Sequence, residues 1–280
     1  SRIGGGGMGI VYHAEDTRLQ RDVALKFLYR ADADDPETEH RFLLEARAAA
    51  ALDHPNICSI FEVNRSDDGV PFFAMPFYEG QTVRELLENG PISPDLVRSI
   101  IRQTALGLEF AHEKGLAHRD IKPANLFVTT EGRLKILDFG IASSVLRDEA
   151  EQDHAIRGTV SYMSPEQTLG NGHECSTDLW SLGVVAFELC VGRKPFEGPS
   201  PAAVMRAIGE GNVEIPASVP DDLKKVIASL LKVDAHERPE SARFVDEQLR
   251  ALHRARNNPV RSSAIISVLS LALVFWWLLG

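Results

Sequence analysis

The stretch "AHRDIKPANLFV", Ala117 to Val128, crowds His118, Arg119, Asp120 and Lys122 together, and Asn125 follows just past Pro123. Why an acid, bases and an amide should crowd beside an apolar run depends on what these groups act on. Other stretches suggest what these groups act on. "GGGGMGIVY" reads Gly4-x-Gly6-x-x-Gly9-x-Val11, and glycines let backbone amides approach phosphate oxygens closely. A dinucleotide fold needs a helix directly after such glycines. Here "IVYHAEDTRLQRDVALKFL" reads as strand, turn, strand, which favours a glycine-rich hairpin over a nucleotide; a plain terminal turn stays open for this motif alone. "VALK" ends an apolar strand run on Lys26, which is costly without an anionic partner. Glu45 is the candidate inside the protein, sharing a helix face with Ala49 and Leu52; alone, Lys26 also reads as a surface lysine at a strand edge. "ILDFG" puts Asp138 at the end of a buried strand, a hard-oxygen ligand for Mg²⁺ with Asn125 as a second; standing alone, the motif reads sooner as a strand-ending turn.

These groups need elements to position them. From Ser1 to about Tyr78 the pattern is strand-like in "GIVYHAE", "DVALKFL", "CSIFEVN" and "PFFAMPF". One helix interrupts it, with Asp35 as cap, Pro36 in its first turn and "ETEHRFLLEARAAAAL" as its body. From about Gly80 to Leu252 the pattern is mostly helical. Ser93 and Pro94 open a helix that closes at Gly115, and Thr177 and Asp178 open another that closes at Gly192. Between them "NLFVTTEGRLKIL" reads as a hairpin turning at Glu131-Gly132. A tail, "RARNNPVRSSAIISVLSLALVFWWLLG", follows.

The chain has 280 residues, 44% hydrophobic and 25% charged, enough for one large domain or two lobes with cores of their own. Its formal net charge of -10 argues against sequence-independent nucleic-acid binding, so no nucleic-acid partner is expected. Cys58, Cys175 and Cys190 form neither a metal pattern nor a disulfide framework and read as small buried hydrophobes.

Taken together, Gly4-x-Gly6-x-x-Gly9-x-Val11, Val23-Ala24-Leu25-Lys26, His118-Arg119-Asp120-Ile121-Lys122-x-x-Asn125 and Asp138-Phe139-Gly140 stand in the order of the protein-kinase signature set. The chain resembles a bacterial eukaryotic-like serine/threonine protein kinase from Arg2 to about Leu252, and "HRDIKPAN" and "YMSPEQ" look most like that branch. The resemblance implies an α+β, two-lobed kinase fold: a small β-rich lobe with one key helix (1–78), a larger helical lobe (79–252), a basic linker (253–263) and a transmembrane helix (264–280). It implies ATP and Mg²⁺, or Mn²⁺, as cofactors and protein substrates as partners. Asp120 would take or orient the proton of the acceptor hydroxyl. Lys122 would neutralise the transferring phosphoryl group. Asn125 and Asp138 would hold the cation, and Lys26, fixed by Glu45, would bind the α- and β-phosphates. The nucleotide would lie among Ile3, Gly4, Gly6, Gly9, Val11, Ala24, Met75, Pro76, Tyr78 and Phe127, with Met75 as gatekeeper. Pro76 departs from the glutamate usual there but keeps the carbonyl that the position offers, and the Tyr78 amide would be the donor.

Glu166, in a Ser-Pro-Glu variant of the Ala-Pro-Glu motif, would pair with Arg238, and Asp178 would brace the catalytic loop. These two features argue for a polypeptide substrate rather than a small molecule. Thr159 together with Lys122 implies serine/threonine specificity. A pseudokinase scaffold would normally lose Lys26, Asp120 or Asp138, and all three are present. Arg119 is the arginine that usually meets a phosphorylated activation segment, yet no hydroxyl lies between Val145 and Gly158. Two readings stand: Glu151 or Asp153 pairs with Arg119, or the segment is a solvated acidic loop.

Ala264 to Leu279 is uncharged and apolar apart from two serines, and Arg250, Arg254, Arg256 and Arg261 precede it. That pattern predicts a single-pass anchor in the inner, cytoplasmic membrane, the kinase facing the cytoplasm. Homodimers are a further expectation. With only Ser1 to Ile3 before Gly4, the sequence reads as part of a longer protein.

Overall fold

The computed structural model describes residues 1–6, 9–29, 35–139, 160–171 and 174–257, without the side chains of 41, 45 and 252–257. The expected tail helix, Thr159, Gly140, and the Glu151 and Asp153 pairing with Arg119 lie outside the described residues. So does the Glu45 side chain, and with it the expected pair with Lys26.

The first lobe is built on a five-stranded antiparallel sheet of order β1-β2-β3-β5-β4. Its strands are β1 (Arg2–Gly6), β2 (Gly9–Asp16), β3 (Arg21–Leu28), β4 (Glu62–Arg65) and β5 (Pro71–Pro76). Directly opposed residues of an antiparallel pair share a face. Val11 faces Lys26, and Ala24 faces Met75. Since Ala24 and Lys26 are two apart on one strand, Val11, Ala24, Lys26 and Met75 line one side of the sheet. Gly9 has a reason of its own: a Cβ there would stand 2.0 Å from the Phe27 carbonyl oxygen, so the hairpin lies flat on β3 only with glycine at that position.

Helix α1 (Pro36–Ala50) packs Phe42 and Ala46 on this sheet, the Phe42 and Phe73 rings lying 5.1 Å apart. Asp35 caps it, accepting from the amides of Glu37 and Thr38. "CSIFEVN" is only partly strand. Strand β4 begins only at Glu62; before it the Phe61 amide donates to the Ala74 carbonyl, and the Cys58 amide donates to Ile136 of the second lobe. Ala49, Leu52 and Ile57 likewise pack into the larger core.

The second lobe carries a small sheet, β6 (Gly80–Thr82), β7 (Leu126–Thr129) and β8 (Leu134–Ile136), under helices α2 (Val83–Glu88), α3 (Pro94–Glu113), α4 (Pro165–Thr168), α5 (Ser176–Val191), α6 (Pro201–Glu210), α7 (Asp221–Leu230) and α8 (Arg243–Asn257). Ser93 caps α3. Helix α5 starts at Ser176, before the expected Thr177, and ends on left-handed Gly192. Residues 177 to 187 are all buried, so α5 is the pillar of this lobe and Asp178 is a core residue instead of a cap. Trp180 stacks on Phe196 at 5.3 Å. The cysteines are all free; Cys58 is buried, but Cys175 and Cys190 are only partly so, Cys175 because it precedes α5 at the surface.

Candidate active site

Asp178 organises the loop that holds Asp120. Its Oδ2 accepts from the backbone amide of His118 at 2.7 Å and meets His112 Nε2 at 2.8 Å, while Oδ1 accepts from the amide of Arg119 at 2.7 Å. Burial opposes ionisation of this fully enclosed carboxyl. The bond from His112 and the backbone amide of His118 outweigh burial and hold it below the ordinary aspartate range. His118 fixes the other side of the loop. The Leu137 carbonyl can only accept from Nε2 (2.9 Å), and the Asp120 amide can only donate to Nδ1 (3.2 Å), so the hydrogen sits on Nε2.

On this frame Asp120, Lys122 and Asn125 converge. Lys122 Nζ lies 2.8 Å from Asp120 Oδ2, and Asn125 Nδ2 donates to that oxygen at 2.9 Å and to the Asp120 carbonyl at 2.8 Å. The Asn125 carbonyl accepts from the Leu137 amide at 2.8 Å, which brings Asp138 alongside. Phe139 is buried against His118, ring centroids 4.7 Å apart, and Asp138 has a left-handed backbone with φ of +47°. From there Asp138 Oδ1 reaches Lys26 Nζ at 2.7 Å. The described ion-pair partner of Lys26 is therefore Asp138. Lys26 is 6% exposed, on the face of the sheet that Val11, Ala24 and Met75 share.

Two groups offer hard oxygen for a divalent cation. The Asn125 nitrogen donates to Asp120, so its side-chain oxygen is the atom that could reach a cation, and Asp138 could add a carboxylate oxygen. Two protein oxygens fit a small cation that keeps water and takes phosphate oxygens besides.

The expected platform residues come together as well. Arg238 Nη1 and Nη2 donate to Glu166 Oε1 and Oε2 at 2.7 and 2.8 Å, and the guanidinium is further used on the carbonyls of Lys232, Val233 and Ser176. It also lies 5.1 Å from the Trp180 ring. Burial pushes the Glu166 carboxyl up, but the Arg238 bonds prevail and hold it low.

On the nucleotide side, Ile3 is half exposed on β1, Gly4 opposes Val11 and Gly6 opposes Gly9. Pro76 ends β5 opposite Val23, and Tyr78 and Phe127 approach with ring centroids 6.4 Å apart.

The whole of residues 1–249 matches the family model described as protein kinase domain. The chain belongs to the protein kinase domain family. It is 38% identical over 255 residues to serine/threonine-protein kinase PrkC of Bacillus subtilis, covering 89% of this chain and 39% of that protein. It is 39% identical over 208 residues to PknB of Mycobacterium leprae, 72% of this chain and 33% of the relative. Against a probable serine/threonine-protein kinase of Streptomyces coelicolor it is 42% identical over 210 residues, 72% and 31% of the two chains. The kinase chain thus spans about a third of the length of these relatives.

Some contacts of this kinase domain were not foreseen. Cys58 Sγ lies 3.8 Å from Met75 Sδ and 3.7 Å from the Ser59 carbonyl. Burial, with the Asp138 charge adding to it, pushes the Cys58 thiol up to about 12. Burial also raises Tyr78, and Lys135 lies over its ring at 5.0 Å. Asn56 donates to Gln103 and to the Leu134 carbonyl, both at 3.0 Å, tying the segment after α1 to α3 and β8. Only the "HPN" turn signal marks it in the sequence. Gln167, in contact with the catalytic loop, closes the "YMSPEQ" stretch without a role of its own there, and His112, in contact with the brace, lies in no motif.

Proposed function

We propose that this chain is the catalytic domain of a serine/threonine protein kinase, which moves the γ-phosphoryl group of ATP to a hydroxyl on a protein. The observation that carries it is the convergence of Asp120, Lys122 and Asn125 on a loop braced by buried Asp178, with Lys26 and Asp138 paired beside it. Asp120 receives or orients the proton of the acceptor hydroxyl. Lys122, already against Asp120, meets the charge that builds on the transferring group. Lys26 is aimed at the α- and β-phosphates, with Glu45 as its second partner. Asn125 and Asp138 would hold Mg²⁺, or Mn²⁺, which would supply positive charge against the phosphates. Gly4, Gly6 and Gly9 cover the phosphates. Ile3, Val11, Ala24, Met75 and Phe127 enclose the base, and Pro76 and Tyr78 present backbone atoms to it. The Glu166–Arg238 pair holds the platform for the acceptor chain, and Thr159 completes the hydroxyl-specific side of the site. Arg119 is the contact for the activation segment.

The lobes divide near Tyr78, and the domain acts from the cytoplasmic face of the inner membrane, anchored by the apolar stretch 264–280 behind the basic linker 253–263. Among the described residues no helix is long and apolar enough to cross a membrane, and the stretch lies beyond them. Protein substrates, autophosphorylation and self-association into dimers belong to the same reading.

The test is incubation with γ-labelled ATP, Mg²⁺ and a generic acceptor protein, followed by mapping of the labelled residues. Label on serine and threonine is expected; label on tyrosine alone, or none, would overturn the proposal.

A further inference from the structure

Arg119 stands directly before Asp120, and its φ is +67°. For a residue with a Cβ this left-handed backbone costs on the order of 1 kcal/mol or more, and it persists where its surroundings fix it. Its amide side is fixed by Asp178. On its carbonyl side, Gln167 Nε2 donates to the Arg119 oxygen at 3.0 Å. That oxygen belongs to the peptide plane joining Arg119 to Asp120.

Gln167 uses its two amide atoms on different structures. Its Oε1 accepts from the Ser164 amide at 2.9 Å while Ser164 Oγ accepts from the Gln167 amide at 3.2 Å, a closed capping box at the start of α4. The nitrogen is spent on the loop. Only an amide of this length both accepts and donates in that way. Glu166, the neighbour of Gln167, is anchored through Arg238 to the core of the second lobe. The platform and the Asp120 peptide plane are therefore joined through one side chain, and their separation is fixed by it.

We infer that Gln167 is a positioning residue for phosphoryl transfer, locking the Arg119–Asp120 peptide to the acceptor platform so that the Asp120 carboxylate meets the hydroxyl in line. This rests on the reading of Asp120 as the group that faces the acceptor.

Gln167→Glu separates the two tasks. A carboxylate at this place in a capping box serves as well as an amide, but it cannot donate to the Arg119 carbonyl. Gln167→Met keeps the bulk and loses both bonds. The measurements are kcat and KM on the generic acceptor protein, affinity for a fluorescent ATP analogue, and Tm. Gln167→Glu is expected to lower kcat about tenfold with KM for ATP, nucleotide affinity and Tm almost unchanged. Gln167→Met is expected to show the same fall in kcat with a lower Tm. A wild-type kcat in Gln167→Glu overturns the inference. So does a fall in kcat of Gln167→Glu matched by losses of Tm and nucleotide affinity, since that marks a structural residue. Asp120→Asn run alongside keeps the two failures apart: if it transfers phosphate at the wild-type rate, the reading of Asp120 has failed instead.

Discussion

In the first lobe, Lys26 rests over a small core of Leu28, Phe42, Ala46 and Phe73, and its described ion-pair partner is across the cleft in the second lobe. Asp120 instead stands on a loop bonded through His118 and Arg119 to Asp178, inside a helix whose residues 177 to 187 are all buried. The same kind of group, a charged side chain that the proposed function assigns to phosphate chemistry, is thus held in two ways. One is tethered by its function. The other is bolted to the core, and its supporting polar groups are part of what makes the lobe fold. Charge placed for catalysis need not stabilise the protein, whereas the charge that places it must.

Substitutions can break that contrast. Asp178→Ala has the largest expected effect on the fold. It leaves the amides of His118 and Arg119 without their acceptor in a closed interior, at about 1–3 kcal/mol each. A loss of at least about 3 kcal/mol in urea unfolding is expected, and a loss under about 1 kcal/mol would mean that the brace is dispensable. Arg238→Lys keeps the charge but loses the fork that engages Glu166 and the carbonyls, and should cost about 2 kcal/mol by the same measurement.

A pH series sharpens the same point. Glu166 has a folded pKa below its ordinary value, so its stabilising contribution is fully present above about pH 4.5 and is lost as pH falls through the folded value. Glu166→Gln should therefore unfold earlier in urea than wild type at pH 7, with the two curves converging towards pH 3. The smallest stability effect belongs to Lys26→Met. An apolar chain of similar length replaces the buried member of the pair, the partly exposed Asp138 is left to water, and unfolding should shift by under about 1 kcal/mol. Phosphoryl transfer should nonetheless fall at least about 100-fold. A Lys26→Met protein that lost stability like Asp178→Ala would remove the contrast between the lobes.

Much of this arrangement was legible in the sequence because it is local. Ser93 and Asp35 cap their helices as their positions imply, and "NLFVTTEGRLKIL" folds back at Gly132. The kinase motifs named the residues that converge at Asp120. What escaped has long-range causes. Thr177 and Asp178 look like a helix start, and nothing local says that Asp178 is swallowed by the core while the helix begins a residue earlier. Gln167 sits in a capping box that accounts for it completely, which hides its second bond, 48 residues back along the chain. Gly9 follows a phosphate-binding pattern, yet its steric reason is the carbonyl of Phe27. Cys58 reads as a plain buried thiol until packing sets it against Met75.

The account rests most on Asp120 as the group that serves the acceptor hydroxyl from a preassembled loop. Its most direct test is the single-turnover rate of Asp120→Asn, with labelled ATP and acceptor protein, alongside Tm and nucleotide affinity. The account predicts a loss of about 100- to 10,000-fold in rate with Tm and nucleotide affinity close to wild type, because the loop is held by Asp178 and His118. A wild-type rate in the folded variant would contradict it.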